Sequence, residues 1–421
     1  MSAESQRKLE FGGIPGNLAM ILGLPVFTAY LYFAVRFNDG QLLPSANADV
    51  DGFFRSLVPT PTAAAFYLVW FFLQAALQQW APGKTVDGTE LPGGGRLPYK
   101  MNGLFSMAFT FGLAGALHVS GLWNIAQLHD EFGAILSVMT IFCYAFSAFL
   151  YVYGKRHGQA GRLSGYFIHD FWMGTGHNPR VPPTPTGLDL KFFCEARPGL
   201  LLWVLINASF AYVQYTRHGF VSTSMLLVGA FQLVYIIDYF WNEPAILTTM
   251  DIKHENFGFM LCFGDLAWVP MTYSLQAHYL IEVHELPLWA AGLILCVNLL
   301  GLYIFRAVNL QKHHFRSDPD NATIWGKKVE YMTTAQGGKL LVSGFWGWSR
   351  HFNYVGDILM ALSWSLPCLF GSVLPYFYPI YFSILLIHRE RRDHHFCTTK
   401  YGDDWKRYCE RVPYRIIPGI Y

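Results

Sequence analysis

The chain has 421 residues, of which 53 % are hydrophobic and only 14 % charged, a balance too apolar for a soluble two-domain protein. A formal charge of +2 argues against general nucleic-acid binding, while an aromatic content of 17 % suits interfacial belts and pockets for large apolar ligands. The seven cysteines are scattered without a C-x-x-C pair, so neither a disulfide framework nor a zinc site is indicated.

Residues 1–16 are polar, and the apolar run behind them lacks a small-residue cleavage pattern, so it reads as a membrane span rather than a signal peptide. A helix crosses a bilayer with roughly twenty apolar residues. Uncharged runs of that order recur at 17–35, 62–80, 101–119, 132–153, 199–216, 220–241, 257–280 and 286–305. The run 358–387 is too long for one comfortable span and is punctuated by Pro367, Gly371 and Pro375, so it predicts a helical hairpin and brings the expected spans to ten. The expected fold class is an all-α integral membrane protein. Its parts are a polar terminus (1–16), an eight-span frame with a substrate cavity (17–305) and a C-terminal cofactor-binding region that includes the last two spans (306–421).

Lys and Arg concentrate in 154–197, in 306–339 and in the tail from 388, which the positive-inside tendency places on the cytosolic side with soluble cofactors. The first of these, rich in Gly and Pro, predicts an ordered but irregular excursion. Ionisable groups inside the apolar runs are few: His118, Asp238, Glu243 and Asp265. Each is expensive at membrane depth, so each either lines a cavity or is held by hydrogen bonds within the frame.

The chemistry-bearing residues gather near the C-terminus. Between Gly344 and Asp357, small residues permit close backbone approach to a flat ligand, Trp346 and Trp348 can stack, and Arg350, His351 and Asn353 offer directional polar contacts. Lys312 and Arg316 are four apart, hence on one face if helical, and can hold a phosphate or meet anionic lipid headgroups. The tail interleaves Arg389, Glu390, Arg391, Arg392 and Asp393 with Cys397, Lys400, Tyr401, Trp405 and Tyr408, a mixture that fits a dinucleotide better than a lipid patch of one sign. His313-His314 and His394-His395 lack the closely spaced partners of a di-iron centre, so no metal is expected. No G-x-G-x-x-G lies between a strand and a helix, so a nucleotide would be bound without a Rossmann domain.

From Leu188 onward the chain resembles the sterol reductase family, which includes the Δ14- and Δ7-sterol reductases and the membrane half of the lamin B receptor. The resemblance is carried by Leu188-Asp189-Leu190-Lys191-Phe192-Phe193, Arg197-Pro198-Gly199, Leu247-Thr248-Thr249-Met250-Asp251-Ile252, Gly264-Asp265 and Gln311-Lys312. It continues through Leu340 to Gly347, Arg350-His351-Phe352-Asn353-Tyr354-Val355-Gly356-Asp357, Leu374-Pro375-Tyr376-Phe377-Tyr378 and Val412-Pro413-Tyr414-Arg415, covering more than half the chain. It implies a ten-span, multi-pass enzyme of the endoplasmic reticulum, or of a bacterial inner membrane, in which NADPH reduces a sterol double bond. The positions that match the family's NADPH site are Lys312, Arg316, Leu341, Trp346, Asn353, Tyr354, Asp393, Cys397 to Tyr401 (with Lys400) and Tyr408. The basic pair would then serve the 2′-phosphate.

An isolated alkene accepts hydride poorly, so an acid should protonate one carbon first, and Asp393 and Tyr408 are the candidates for proton delivery. A buried Asp393 would hold its proton; alternatively it would position the cofactor through Arg391 or Arg392. The sterol is expected from the lipid, into a pocket bounded by the sixth to tenth helices, with no obligate protein partner evident. Gly176-His177 stands where the family commonly has Glu-Leu, so no role of that acid carries over. Phe352 matches the Δ7 branch, whereas 257–261 and 361–368 match the Δ14 branch, which is favoured. Two other readings stay open. A methyltransferase of the isoprenylcysteine type shares the Arg-His-x-x-Tyr element but would use S-adenosylmethionine, and a lamin-B-receptor-like sterol-binding scaffold would not turn over.

Overall fold

The computed structural model describes residues 9–91, 94–157 and 163–421, and the chain divides into two compact units, one ending at Val283 and one running from His284 to Tyr421. In the first unit the long helices are α1 (Gly13–Arg36), α2 (Pro61–Trp80), α3 (Gly103–Val119), α4 (Phe132–His157), α5 (Pro198–His218) and α6 (Thr223–Trp241). In the second they are α7 (Leu288–Ser317), α8 (Asn353–Ser365), α9 (Phe377–Tyr401) and the short α10 (Asp403–Arg411). Among the described residues five helices are long and apolar enough to cross a membrane: α1, α4, the run Leu190–His218, α6 and α7. A sixth follows if Val50–Ser56 and α2, bent by 52°, count as one span.

Of the remaining expected runs, 101–119 is a helix and 358–387 a hairpin as read, whereas 257–280 takes a different form. The run 101–119 becomes α3, of 17 residues. The run 257–280 is not one helix but a series, Phe259–Phe263, a π turn Gly264–Trp268, Val269–Thr272 and Leu275–Tyr279. Pro270 lacks an amide hydrogen and cannot continue an α ladder, and the π turn lies directly before its segment. The run 358–387 is a hairpin, with 3₁₀ turns at Leu366–Cys368 and Leu374–Tyr376 that begin around Pro367 and Pro375. Both α7 and α9 run on beyond their apolar stretches, so the basic residues behind the eighth apolar run and at the start of the tail are helical rather than loop.

The fold is not purely α. Among the described residues four two-stranded antiparallel sheets pair Lys84–Asp87 with Pro98–Met101, Arg180–Val181 with Leu188–Asp189, Thr323–Ile324 with Lys327–Lys328, and Tyr331–Thr333 with Lys339–Leu341. Apart from Met101, at the edge of the run 101–119, all lie outside the apolar runs, where connecting backbone satisfies its polar groups locally. The excursion 154–197, apart from 158–162, which lie outside the described residues, also holds the helices Phe167–Met173 and Leu190–Ala196. It is ordered by side chains: Asp170 accepts from the Ser164 amide and hydroxyl, each at 2.8 Å, and Asn256 donates to the Gly174 carbonyl at 2.9 Å.

In the second unit α7 and α8 cross so closely that glycine is required at both facing positions. A Cβ on Gly356 would lie 2.6 Å from the Gly301 carbonyl oxygen and 2.6 Å from the Phe305 nitrogen. Asn298 donates to the Ser363 hydroxyl at 2.8 Å across the same seam, the small-residue and polar packing that apolar helices use when lipid gives no hydrophobic drive.

Candidate functional site

The segment that follows the Tyr331–Thr333/Lys339–Leu341 hairpin enters at Gly344, whose φ of 65° and ψ of −147° suit glycine alone. A Cβ there would also strike Gln311 Oε1 at 2.6 Å, the atom that accepts from the Phe345 amide at 3.0 Å. The turn Phe345–Trp348 is thereby held against the last turns of α7. Trp346 Nε1 donates to the Val308 carbonyl at 2.9 Å, and the Lys312 ammonium lies 4.0 Å over the Trp346 ring. Leu341 is buried in the same apolar cluster as Val308, Phe345 and Trp346. Because α7 extends to Ser317, Lys312 and Arg316 do share a helix face, Arg316 exposed and Lys312 turned inward.

Opposite them stands the polar half of α9. Asp393 Oδ2 is 3.4 Å from His351 Nε2 and accepts weakly from the Cys397 thiol at 3.9 Å. Burial favours the neutral acid, but the His351 contact and the Lys312 charge outweigh it and hold the Asp393 carboxyl below the usual carboxylate range. A carboxyl lowered in this way is ionised rather than protonated at neutral pH, the state that suits the positioning alternative rather than proton storage. The Cys397 thiol, by burial first and by the neighbouring Asp393 charge, is pushed up to about 12. His351 stacks on Tyr354 at 4.9 Å, and Asn353 leaves Oδ1 buried without a hydrogen-bond partner among the described residues.

Tyr408, on α10, is 5 % exposed and stacks on Trp405 at 5.0 Å and 24°. Burial raises its phenol, which keeps its proton throughout the neutral range. Trp405 Nε1 donates to His394 Nδ1 at 3.1 Å, and burial, then the Arg415 and Arg350 charges, lower the His394 imidazole. Tyr401 packs on the same cluster and lies 6.4 Å from Trp405, whereas Lys400 is exposed beside Tyr401.

Thus Lys312, Trp346, Asp393 and Cys397 are brought together, with Asn353 and Tyr354 beside His351 and Tyr408 in the adjoining aromatic cluster. Arg316 and Lys400 lie on exposed faces. The sequence reading named His351 and Trp405 as chemistry-bearing without giving them a role, and weighed His394 only as a metal ligand. The signal for His351 was its position between Arg350 and Asn353; nothing in residue spacing pairs His394 with Trp405. Among the described residues no group of three His, Cys, Asp or Glu is placed to hold a metal.

The intramembrane acids of the first unit divide. Glu243 pairs with Arg197 and accepts from the Gly103 amide at 2.9 Å, while Arg197 also donates to Asn102 Oδ1 at 2.9 Å. This is a buried structural tie. Asp265 sits on the π turn with Oδ2 buried and without a hydrogen-bond partner among the described residues. His118 packs edge-on against Tyr212 at 4.6 Å.

Long apolar helices joined to a unit with a cationic and aromatic polar cluster define an integral membrane protein. The chain belongs to the Ergosterol biosynthesis ERG4/ERG24 family, whose model matches residues 5–421. It is 50 % identical over 407 residues to the Delta(14)-sterol reductase of Methylotuvimicrobium alcaliphilum, covering 96 % of this chain and 94 % of that protein. Against the Delta(14)-sterol reductase of Dictyostelium discoideum it is 45 % identical over 428 residues, covering 98 % and 92 %. Against a Delta(14)-sterol reductase of Mus musculus it is 43 % identical over 423 residues, covering 99 % of each chain.

Proposed function

We propose that this protein is a membrane-embedded Δ14-sterol reductase that uses NADPH to reduce the 14(15) double bond of a sterol taken from the bilayer. The observation that carries the reading is the Lys312–Trp346 pair with the unpartnered Asn353 Oδ1 and the His351–Asp393 pair in one unit, in a chain half identical to a protein of that name.

The residues fit a nicotinamide dinucleotide. A buried amide oxygen without a partner is costly, and Asn353 Oδ1 matches an amide N–H donor such as a carboxamide supplies. Arg316 offers a fork and Lys312 a point charge for phosphate oxygens, with the 2′-phosphate distinguishing NADPH from NADH. Trp346, Tyr354 and Tyr408 supply flat faces, Leu341 an apolar wall, Cys397 a neutral thiol, and Tyr401 and Lys400 a rim. The chemistry that NADPH supplies when bound is a hydride for the alkene carbon made electron-poor.

The protein's own part is to deliver a proton and keep water out. Tyr408 Oη carries its proton at neutral pH and is the group proposed to give it up to the alkene. Asp393, ionised, stays out of proton delivery; it balances Lys312 and fixes the His351 ring. The carbocation formed on the sterol survives only where bulk water is excluded, which the buried Trp405, Tyr408 and Val412 cluster serves on its side.

The same reading gives ten membrane crossings: the six spans above, α3, the broken series from Phe259 to Tyr279, and the α8–α9 hairpin, with the polar C-terminal site on the cytosolic side. The test of function is a single-turnover assay of purified protein in detergent, following NADPH absorbance with a Δ8,14-dienol sterol or a Δ7 sterol. Oxidation with the first alone supports the proposal; oxidation with the second alone moves the protein to Δ7 reduction. NADPH binding without turnover of either refutes catalysis and favours a sterol-binding scaffold.

A further inference from the structure

Residues 412–421 wrap back onto the site segment in a way that the cofactor residues alone do not explain. The Arg350 amide donates to the Tyr414 carbonyl at 3.0 Å, the His351 amide to the Arg415 carbonyl at 2.9 Å, and the Ser349 hydroxyl to the Ile416 carbonyl at 2.7 Å. Arg350 Nη1 donates to the Val412 carbonyl at 2.9 Å. The wrapped segment is itself tied: the amides of Arg415, Ile416 and Ile417 all converge on one backbone oxygen of Tyr421, at 2.8, 2.8 and 3.1 Å. Successive amides aimed at one oxygen form a nest.

What fixes this clasp to the rest of the unit is Glu390. It is fully buried on α9, three residues before Asp393, and its Oε2 accepts from Arg415 Nη1 at 3.0 Å and from the Tyr421 hydroxyl at 3.3 Å. Arg415 also lies over the Tyr421 ring at 5.6 Å. The connections close a ring: Glu390 holds Arg415, the Arg415 carbonyl holds the His351 amide, and His351 Nε2 meets Asp393 on the same helix as Glu390. A buried carboxylate is retained only where its partners repay desolvation, and here both partners of Oε2 belong to the clasp.

We propose that Glu390, acting through Arg415 and Tyr421, is a positioning residue that sets His351 against Asp393 and so shapes the cofactor site. This rests on the reading of that site as one for a nicotinamide cofactor. None of the three needs to touch the cofactor. Their effect is on where the Ser349–His351 backbone sits.

The experiment compares full-length wild-type protein with Glu390→Gln, Tyr421→Phe, Arg415→Ala and Arg415→Lys by two measurements. The first needs no cofactor: N-ethylmaleimide labelling, resolved residue by residue by mass spectrometry. Cys397 lies beside Asp393 and is half-buried, whereas Cys368 is buried elsewhere in the same unit and reports its integrity. Glu390→Gln and Arg415→Ala should speed Cys397 labelling severalfold and leave Cys368 protected. The second is the KM for NADPH against kcat. Losing one charge-assisted hydrogen bond corresponds to roughly a tenfold rise in KM in Glu390→Gln, with kcat within about twofold. Tyr421→Phe should show a smaller rise, and Arg415→Lys, which keeps a donor to Glu390, should recover most of the affinity. Unchanged Cys397 labelling in Glu390→Gln overturns the proposal, and so does exposure of Cys368 together with Cys397, which would mark Glu390 as a general structural residue. If labelling behaves as expected but wild-type protein does not bind NADPH, the clasp stands and the identity of the cofactor is what fails.

Discussion

Replacing Gly356 by alanine should damage the proposed cofactor site without touching it. The new Cβ would lie 2.6 Å from both the Gly301 oxygen and the Phe305 nitrogen, whereas ordinary contact begins at 3.4 Å, so α7 and α8 must part by about 3.4 − 2.6 = 0.8 Å. Both obstacles are backbone, so no side-chain rotation relieves them. Overpacking of this kind costs about 1–3 kcal/mol of stability. The displaced elements carry Lys312 on α7 and Asn353 at the first turn of α8, the two sides of the proposed site. A misplacement of about 1 Å among positioned groups can cost about a hundredfold in catalysis, so the loss in kcat/KM should exceed what the stability change alone predicts. Gly292→Ala provides the control: it lies on α7 with nothing within 4 Å of the added carbon, and should be neutral or stabilising by roughly 0.5–1 kcal/mol through helix propensity. The assay is a thermal melt in detergent beside steady-state kinetics with NADPH. A Gly356→Ala protein that keeps wild-type kcat/KM, whatever its melting temperature, refutes the claim that the seam sets the distance between Lys312 and Asn353.

Other outcomes follow from single side chains. Arg316→Ala should weaken NADPH far more than NADH in a binding titration, since only NADPH carries the 2′-phosphate; equal weakening of both would remove that assignment. Tyr408→Phe keeps the stack on Trp405 but has no proton to give, so kcat should fall by about 10²–10⁴-fold with little change in the NADPH dissociation constant. His394 has a folded-state pKa below its unfolded value of 6.5, so the unfolded chain binds its proton more readily. The stability it supports is complete above that value and is lost as pH falls from 6.5 toward the folded value. Melts across pH 7 to 5 should show this slope in wild-type protein and a shallower one in Trp405→Phe, which lacks the indole donor.

The hydrophobic runs were legible because a bilayer leaves a long helix few alternatives, and α1, α2, α4, α5 and α6 lie within a few residues of the apolar stretches that predict them. The broken series after Phe259 was not, since a run of apolar residues cannot show which intrahelical bonds Pro270 will forfeit. The small sheets escaped for the opposite reason: strands such as Thr323–Ile324 are too short to impose an alternating pattern. Within the proposed site, residue types and helical spacing point to Lys312, Asn353 and Tyr408, and the family resemblance adds Leu341 and Cys397. Ionisation states depend on partners far away in the chain, and this is where residue-by-residue reading stopped. Asp393, taken alone, is a buried acid that should keep its proton; His351 and Lys312, brought to it by a segment and a helix on either side of the Tyr331–Thr333 hairpin, reverse that. On the proposed reading the proton donor is then Tyr408, whose burial keeps the phenol protonated at neutral pH while making it a weaker acid, so the kcat of Tyr408→Phe is what tests the role. On that reading the carboxylate holds charge in place and the phenol holds the proton to be delivered.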